Sequence, residues 1–374
     1  MNAVNWISRL AVAGVAMTAF AVAAAPIVVG QVGPMSGLEA NQGRAYAVGM
    51  ELAFRAVNAS GGVNGNTFTL VRKDDGGRPD DTVNITRQLL AEDKPLVLAG
   101  FFGSRNINDL VSTGLLEKDR IALVGYRSGE IRPETPLLYN VRANLRDEIQ
   151  KLTEHLATIG ITRLGLFYEE GPAAAALIAA AEESAKKANA TILAKASYAM
   201  GTTKAEAASR VFLKAKPQAI LMISTGSAAA GFIEEYRGAG GTAQLFAHSG
   251  ADVEQMAKRL NEEQMQGVAI AQVTPSPYKI SSKLTKEFID IAAKEKLEVP
   301  VSYTMMEGFI AGKVIIEAVR RQKGKPTREG MVAALDGMDN LNLGGYVIGF
   351  KPNSRSGSHY VELSIVTGAG KIRQ

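Results

Sequence analysis

The sequence contains no cysteine and few histidines, which limits the chemistry open to the protein. The absence of cysteine excludes disulfide bonds and thiol catalysis. The three histidines are His155, His248 and His359, and no two of them have the spacing of a zinc-binding motif. We therefore expect no metal site and no cofactor, and we expect each histidine to be a surface or packing residue.

A strong excess of charge is also lacking. The formal net charge of +5 is small for 374 residues, and no run of lysine and arginine marks a nucleic-acid-binding patch. We therefore expect no nucleic-acid partner. The chain is long enough to form two domains with sizeable cores, and its apolar content is typical of a globular protein.

Residues 1–25 have the composition of an export signal. Arg9 supplies a positive charge, residues 10–25 are apolar and uncharged, and Ala23-Ala24-Ala25 before Pro26 is the small-residue pattern that signal peptidase needs. The apolar stretch is shorter than the roughly 20 residues of a membrane span. We expect cleavage after Ala25, with an N-terminal membrane anchor as the alternative.

Strand and helix patterns alternate from residue 27 onward. Short apolar runs such as residues 27–32 and 96–98 alternate with helical periodicity such as residues 42–58, and the alternation restarts after residue 141. This order predicts α/β units with parallel sheets and helices on both faces. After residue 275 the chain is mostly helical, and residues 346–350 and 360–365 are predicted to be antiparallel strands joined by a turn.

The segment Gly100-Phe101-Phe102-Gly103-Ser104 is the first candidate for a binding site. It follows an apolar run and precedes a helical pattern that starts near Asn106. A strand that ends in a glycine-broken turn before a helix directs the Ser104 hydroxyl and unpaired backbone N–H groups to one spot. Because helix N-termini favour anions, we predict an anchor for a carboxylate. The alternative is that Ser104 only caps its own helix.

Several segments together resemble a known family. They are Gly33-Pro34-Met35-Ser36-Gly37, residues 57–65, Asp74-Asp75, Ser104 and residues 302–308. In this order, and behind an export signal, they resemble the branched-chain amino-acid-binding family of periplasmic substrate-binding proteins of ABC transporters. The resemblance covers essentially all of the chain after residue 25.

The resemblance implies the type I periplasmic binding fold, in which two Rossmann-like lobes with parallel sheets are joined by three crossing segments. The N-terminal lobe would comprise residues 26–143 plus 276–344, and the C-terminal lobe residues 144–275 plus 345–374. The crossings would lie near Asn144, Pro275 and Gly345. Such a protein is a periplasmic monomer that binds its ligand between the lobes, closes by hinge bending and docks on a membrane permease.

The resemblance also implies roles for residues of the first lobe. Ser104 corresponds to the hydroxyl that binds the ligand's carboxylate. Tyr126 and Ser128 correspond to the backbone carbonyl and hydroxyl that take the ligand's ammonium group. Gln42 and Tyr303 correspond to walls of the site.

In the second lobe the match to the family is weaker. Thr225 lies near the place of one of the family's aromatic residues. Ser249 stands where the family has an acidic residue that pairs with the ammonium group. The family's general amino-acid pocket is therefore only half present, and the match extends to the carboxylate end of the ligand but not to its second end.

Three further groups of residues have more than one interpretation. Phe102, with Phe101 and Tyr126, is predicted to line a wall for an apolar body of the ligand, or else to belong to the core of the lobe. Arg127 would repel an ammonium group if it pointed into the cleft, but it is expected on the surface. Asp74-Asp75 is expected to organise a loop rather than to bind a metal.

The function expected from these features is that of a non-enzymatic receptor for a small carboxylate ligand, with an amino acid first and an aromatic or keto acid second. A serine hydrolase would need a nucleophile elbow, and Ser36 in Gly-Pro-Met-Ser-Gly lacks the first glycine of that motif. A transcription regulator would need a helix-turn-helix where the export signal lies. A receptor ectodomain would need a transmembrane stretch, and none follows Val366.

Overall fold

The computed structural model describes residues 26–130, 135–351, 354–367 and 372–373. The predicted export signal and its cleavage site, residues 1–25, lie outside these described residues. None of the helices in the described ranges combines the length and apolarity that are needed to span a bilayer.

The first part of the chain forms a parallel five-stranded sheet with the strand order β2-β1-β3-β4-β5. In chain order its elements are β1 (Ile27–Gly33), α1 (Ala40–Ala59), β2 (Phe68–Asp74), α2 (Pro79–Glu92), β3 (Val97–Phe102), α3 (Ser104–Ser112), α4 (Leu115–Asp119), β4 (Leu123–Arg127) and β5 (Leu138–Tyr139). Buried apolar side chains pack on both faces of the sheet, as expected for a parallel sheet between helices.

The next part supplies the parallel strands of a second sheet. Its elements are α5 (Leu145–Thr158), β6 (Arg163–Glu169), α6 (Ala174–Lys187), β7 (Thr191–Tyr198), α7 (Glu206–Ala215), β8 (Ala219–Ile223), α8 (Gly226–Gly238), β9 (Gln244–Ala247), a 3-10 turn (Ser249–Ala251), α9 (Val253–Met256), α10 (Glu262–Met265) and β10 (Ala269–Gln272). Helix α5 begins after the predicted crossing at Asn144, whose side chain accepts a hydrogen bond from the Asp147 N–H while Asp147 accepts one from the Asn144 N–H.

The last part of the chain completes both lobes. Its elements are α11 (Lys283–Ala292), α12 (Tyr303–Arg320), α13 (Arg328–Asp336), β11 (Leu341–Asn342), β12 (Val347–Ile348), β13 (Glu362–Val366) and β14 (Ile372–Arg373). Strands β13 and β14 join the second sheet, which has the order β14-β13-β10-β9-β8-β6-β7. The predicted α/β fold with two parallel-dominated sheets is confirmed.

The predicted pairing of the two late strands with each other is wrong. Strand β12 pairs with β11, with Leu341 opposite Ile348. Strand β13 instead pairs antiparallel with β10, with Ala269 opposite Ile365. Ile348 and Phe350 pack in the same core cluster as α1 and α12, although they follow the crossing that is predicted near Gly345. The division of the chain into lobes at that residue stays a prediction.

Helix α12 packs closely along α1, and two glycines make this approach possible. A Cβ atom on Gly49 would lie 2.0 Å from the Met305 carbonyl oxygen. One on Gly308 would lie 2.1 Å from the Tyr46 carbonyl oxygen. Both contacts are far too short, so a side chain at either position would push the two backbones apart. The pair of helices thereby holds the N-terminal end of α12, with Tyr303 and Thr304, close to the edge of the first sheet.

Candidate functional site

Ser104 lies at the carboxyl edge of the first sheet. Strand β3 continues through Gly100 to Phe102, so the predicted turn at Gly100 is wrong, and α3 begins at Ser104 rather than near Asn106. The residue before the helix is Gly103, with a φ of 94° and no side-chain cap. Ser104 therefore does not cap its own helix. Its hydroxyl lies beside the backbone N–H groups of the first helical turn, which have no intrahelical acceptor.

Ser104 and Ser128 are brought together by the adjacent ends of β3 and β4. Ser128 Oγ donates to Ser104 Oγ over 3.3 Å, and the Gly129 N–H donates to Ser104 Oγ over 3.0 Å. The Glu130 N–H in turn donates to Ser128 Oγ over 3.1 Å. Both hydroxyls are only partly buried. This hydroxyl pair and the start of α3 form a small polar surface on the first lobe.

Phe102 belongs to the core of the first lobe. Its ring packs edge-to-face on Tyr46 at 5.7 Å between centroids, and 7% of the residue is exposed. The guanidinium carbon of Arg127 lies 5.8 Å from the Phe102 ring centroid. Phe101 is also fully buried, whereas Tyr126 is half-buried at the end of β4. Of the three aromatic residues, Tyr126 is therefore the most accessible to a ligand.

Arg127 is buried between the lobes, so the expectation that it lies on the surface is wrong. Its Nη1 donates to Gln42 Oε1 and, over 2.8 Å, to Thr304 Oγ1. Its Nη2 donates to the Ser249 carbonyl oxygen over 2.8 Å. Since β4 belongs to the first sheet and Ser249 follows β9 of the second, this side chain links the two lobes directly.

Carboxylates surround the Arg127 guanidinium. Asp252 Oδ2 lies 3.7 Å from Nη1, and Glu307 Oε2 lies 3.5 Å from Nε. Asp252 also accepts a hydrogen bond from the Thr304 hydroxyl. Buried charges need such partners, because an unpaired buried charge is very costly. The buried charge of Arg127 at the contact between the lobes is therefore balanced by two carboxylates.

Ser249 is occupied by contacts within the protein. Its N–H donates to Glu148 Oε2 over 2.7 Å, and its hydroxyl donates to Glu148 Oε1 over 3.0 Å. Arg142 Nη2 donates to the Ser249 hydroxyl and, over 2.7 Å, to Glu148 Oε1. Burial lowers the pKa of the Arg142 guanidinium, but the charges of Glu307 and Glu148 outweigh it and raise that pKa further. Ser249, which the resemblance places where the family has its acidic residue, is thus part of a buried ion-pair network.

Gln42 and Tyr303 are buried at the same interlobe contact. Besides accepting from Arg127, Gln42 donates through Nε2 to Glu39 Oε2 over 2.7 Å. The Tyr303 hydroxyl lies 3.3 Å from Ser364 Oγ, and the Tyr303 N–H donates to Glu254 Oε1 over 3.1 Å. A cavity of about 30 Å³ lies nearby, between α1 and α9, and it has room for about one water molecule.

Thr225 lies at the carboxyl edge of the second sheet, where it caps α8. Its Oγ1 accepts from the Ala228 N–H over 3.4 Å, and its own N–H donates to the Tyr198 hydroxyl over 3.1 Å. The Tyr198 hydroxyl donates to Glu169 Oε2 over 2.9 Å. A hydrogen-bonded chain therefore runs through Thr225, Tyr198 and Glu169, and it joins the carboxyl ends of β8, β7 and β6.

Glu169 and Tyr198 were not identified from the sequence. Burial raises the pKa of the Glu169 carboxyl, the hydrogen bond from Tyr198 opposes this shift, and the nearby charge of Glu130 adds to it. The available signal was the position of Glu169 at the carboxyl end of a buried strand.

The remaining predicted features have structural roles. Asp74 accepts hydrogen bonds from the backbone N–H groups of Met35, Ser36 and Gly76, so it organises a loop as expected. His248 is a buried packing residue, with Nε2 3.0 Å from the Ser224 carbonyl oxygen and Nδ1 accepting from the Gly250 N–H. Burial lowers the pKa of His248 to about 4, so its ring is neutral at pH 7.

Comparison with known proteins supports a single family. A family model described as periplasmic binding protein matches residues 26–371. The Leu/Ile/Val-binding protein homolog 7 of Brucella melitensis is 24% identical over 355 residues, which cover 89% of this chain and 87% of that protein. An amino acid binding protein of Pseudomonas aeruginosa is 37% identical over 82 residues, which cover 22% of each chain.

A solved structure agrees with the sequence comparison. The substrate-binding periplasmic protein from Ralstonia solanacearum superimposes with a TM-score of 0.86 and is 36% identical, and the alignment covers 93% of this chain and 99% of that one. The resemblance first noted in the sequence motifs is therefore confirmed. Its extent over both lobes shows that this chain belongs to the periplasmic binding protein family and has the type I fold.

Proposed function

We propose that this protein is an extracytoplasmic solute receptor that binds a small carboxylate-bearing ligand, most simply an amino acid, between its lobes. It then delivers the ligand to the permease of an ABC transporter. The observation that carries this proposal is the presence of a polar surface at the carboxyl edge of each sheet. One consists of Ser104, Ser128 and the start of α3, and the other of Thr225, Tyr198 and Glu169.

The first-lobe surface suits a carboxylate. Two hydroxyls at Ser104 and Ser128 lie beside the N-terminal backbone N–H groups of α3, and no side chain caps that helix. A carboxylate in a closed cleft needs several donors at once, since each charged hydrogen bond offsets part of the cost of desolvation. The helix dipole adds a further favourable term for an anion at this end.

The comparisons favour an amino acid as the ligand. The periplasmic binding proteins are solute receptors rather than an enzyme class, and they work outside the cytoplasm. Two relatives have names that refer to leucine, isoleucine and valine or to amino acids in general. We therefore place branched-chain and similar amino acids first among the candidate ligands.

An aromatic or keto carboxylic acid is the second candidate. The observation that favours it is the loss of the family's acidic residue at Ser249, whose polar groups are all engaged with Glu148, Arg142 and Arg127. A ligand without an ammonium group would need no counter-charge at that position.

Titration calorimetry of the mature protein with leucine, phenylalanine, phenylpyruvate and benzoate separates the candidates. We expect leucine or phenylalanine to bind with one ligand per chain. Binding of phenylpyruvate or benzoate alone would replace the amino acid by the second candidate. Failure of all small carboxylates to bind would contradict the proposed carboxylate site itself.

We further propose that the protein is exported, cleaved after Ala25 and monomeric. N-terminal sequencing of protein from an exported fraction should read Pro-Ile-Val-Val-Gly. A mature chain that still carries Trp6 would contradict the cleavage. Light scattering on the eluting protein should give the mass of one mature chain, and a doubled mass would contradict the monomer.

A further inference from the structure

Glu254 is an acidic residue whose side chain joins the two lobes. It lies on α9, a helix that packs in a core cluster of the second sheet. Its Oε1 accepts a hydrogen bond from the Tyr278 hydroxyl and, over 3.1 Å, one from the Tyr303 N–H. Both donors belong to the segment that carries α11 and α12, and these helices pack with α1 in the core of the first lobe. Both hydrogen bonds therefore cross the contact between the lobes.

The Tyr278 hydroxyl has two acceptors but only one proton. Besides Glu254 Oε1, the Val301 carbonyl oxygen lies 3.1 Å from the hydroxyl oxygen. A tyrosine hydroxyl donates one hydrogen bond and can accept others. A proton on Glu254 Oε1 lets the carboxyl donate to the hydroxyl while the hydroxyl donates to Val301. An ionised Glu254 must instead compete with Val301 for a single proton, so the geometry favours the protonated acid.

The surroundings of Glu254 also disfavour a negative charge. Its Oε2 is buried and has no hydrogen-bond partner among the described residues. Burial raises the pKa of the Glu254 carboxyl, the charge of Asp252 raises it further, and the hydrogen bond from Tyr278 opposes the shift. Arg127, which could supply a positive charge, is already shared between Asp252 and Glu307.

The other ionisable groups around Glu254 do not neutralise it. Lys258 lines the same small cavity between α1 and α9, but it is exposed and forms no ion pair with Glu254 in the described ranges. Burial raises the pKa of the Tyr278 and Tyr303 hydroxyls, so both stay neutral at pH 7. A proton is therefore the simplest way to remove the charge of Glu254.

We infer that closure of the lobes takes up one proton from solvent, and that Glu254 holds this proton against the Tyr278 hydroxyl. The inference rests on the proposed function, because closure around a ligand is what brings α9 against Tyr278. With the lobes apart, Glu254 is in water and is ionised at neutral pH. As the contact forms, one proton from water adds to the carboxylate, and the O–H bond that results donates to Tyr278.

The proton links the affinity for ligand to pH. In water a glutamic acid has a pKa of about 4.3, and in the closed contact that of Glu254 is higher. Between the two values the closed state binds one more proton than the open state, so the affinity falls as the pH rises, by up to about ten-fold per pH unit. Below the lower value both states are protonated and above the higher value both are ionised, so the affinity becomes constant.

The test measures proton uptake with whichever of leucine, phenylalanine, phenylpyruvate and benzoate the protein binds. Titration calorimetry at pH 7 in phosphate and in Tris, whose enthalpies of ionisation differ, gives the number of protons taken up per ligand. We expect a value near one for the unchanged protein and near zero for Glu254→Gln, whose amide resembles the protonated acid. At pH 8, Glu254→Gln should bind at least about ten-fold more tightly than the unchanged protein, and the difference should shrink at pH 5.5.

Two further variants serve as controls. Glu263→Gln changes an exposed acid on α10 of the same lobe and should leave both proton uptake and affinity unchanged. Glu39→Gln tests another acid at the contact. Burial raises the pKa of the Glu39 carboxyl, a hydrogen bond from Ser227 opposes this shift, and the charge of Asp252 adds to it. Glu39→Gln should keep the uptake at Glu254.

Thermal unfolding shows whether each variant is folded. If Glu254→Gln is not, Glu254→Asp replaces it in the test, because its shorter carboxylate cannot reach Tyr278 and should lose the proton uptake as well.

The outcomes that would overturn the inference are distinguishable from failure of the proposed function. If a ligand binds without proton uptake, or with equal uptake in the unchanged protein and Glu254→Gln, Glu254 gains no proton on closure while the proposed function stands. Loss of the uptake in Glu39→Gln alone would assign the proton to Glu39 and overturn the inference too. If none of the four acids binds, the receptor function and the proton-linked closure fail together.

Discussion

At the scale of single residues, a substitution at Ser104 directly tests the proposed binding of the ligand's carboxylate. Replacing it by alanine removes the hydroxyl that accepts from Gly129 and lies at the start of α3. We expect binding of a carboxylate ligand to weaken by about 1.5–3 kcal/mol, the usual range for a hydrogen bond to a charged group. Titration calorimetry measures this loss of affinity, with an amino acid that the unchanged protein binds as the ligand.

The control for this prediction lies at the other end of the same helix. Ser112 is exposed and its hydroxyl donates to the Asn108 carbonyl oxygen, so Ser112→Ala should bind the ligand like the unchanged protein. Equal affinities for Ser104→Ala and Ser112→Ala would show that the ligand's carboxylate is held elsewhere.

His248 should make the protein less stable in acid. In the unfolded chain a histidine has a pKa of about 6.5, whereas burial lowers that of His248 to about 4. Its contribution to stability is therefore complete above pH 6.5 and is lost as the pH falls toward 4, at up to about 1.4 kcal/mol per pH unit. Urea unfolding between pH 7 and pH 4.5 measures this slope.

A glutamine at position 248 should reduce that slope, because it cannot be protonated. The exposed His359, which pairs with Asp147, is the control, and His359→Gln should keep most of the slope. If His248→Gln loses stability with acid as steeply as the unchanged protein, the titration of His248 does not control acid stability.

The residues that sequence reasoning found and missed differ in the range of their contacts. Ser104 and Ser128 follow neighbouring parallel strands, so their proximity at one sheet edge could be expected from the strand pattern. Arg127 was misjudged because Gln42, Thr304 and Ser249, which enclose it, come from segments far apart in the chain. Local sequence carries no signal for an enclosure of that kind.

At the scale of elements, the packing of α12 on α1 sets a strict limit on residue size. A methyl group at position 308 would collide with the Tyr46 backbone, so Gly308→Ala must move one helix away from the other. We expect a loss of stability of about 1–3 kcal/mol, as for other overpacked core positions. Urea unfolding of the ligand-free protein measures it.

Gly238→Ala is the comparison for this change. Gly238 also lies in a helix, at the end of α8, but a Cβ atom there meets no other atom within 4 Å. That variant should be as stable as the unchanged protein or slightly more stable, since alanine favours helix. Equal stability of Gly308→Ala and Gly238→Ala would mean that the α1–α12 contact accommodates the added methyl group without loss of stability.

The alternation of strands and helices was predictable because each element has its own apolar periodicity. The pairing of the late strands was not. A turn between two apolar runs favours a hairpin when only the local sequence is considered, yet β13 pairs with β10. The strand finds its partner through tertiary packing with distant residues such as Ala269, and that preference leaves no local pattern.

At the scale of the whole molecule, Arg127 should control how readily the lobes close. Arg127→Gln removes the guanidinium that joins β4 to Ser249 and leaves Asp252 without that charge partner. Breaking such a buried pair costs about 3–5 kcal/mol, and the open state avoids this cost by solvating Asp252. We expect the variant to bind ligand more weakly and to stay open.

Small-angle scattering tests this prediction directly. The unchanged protein should contract when the bound amino acid is added, whereas Arg127→Gln should contract only at higher ligand concentrations. Arg105→Gln, which changes an exposed arginine on α3, should behave like the unchanged protein. Identical profiles for Arg127→Gln and the unchanged protein at every ligand concentration would exclude Arg127 from closure.

The way the last part of the chain completes both lobes has a consequence for biosynthesis. A nascent chain that ends before residue 303 lacks the helix that packs on α1, and one that ends before residue 362 lacks the antiparallel strand that pairs with β10. Neither lobe can therefore reach its final core while the ribosome is still adding these residues. The cores of both lobes are therefore completed only when synthesis is nearly finished, which favours a loosely folded chain for the proposed export.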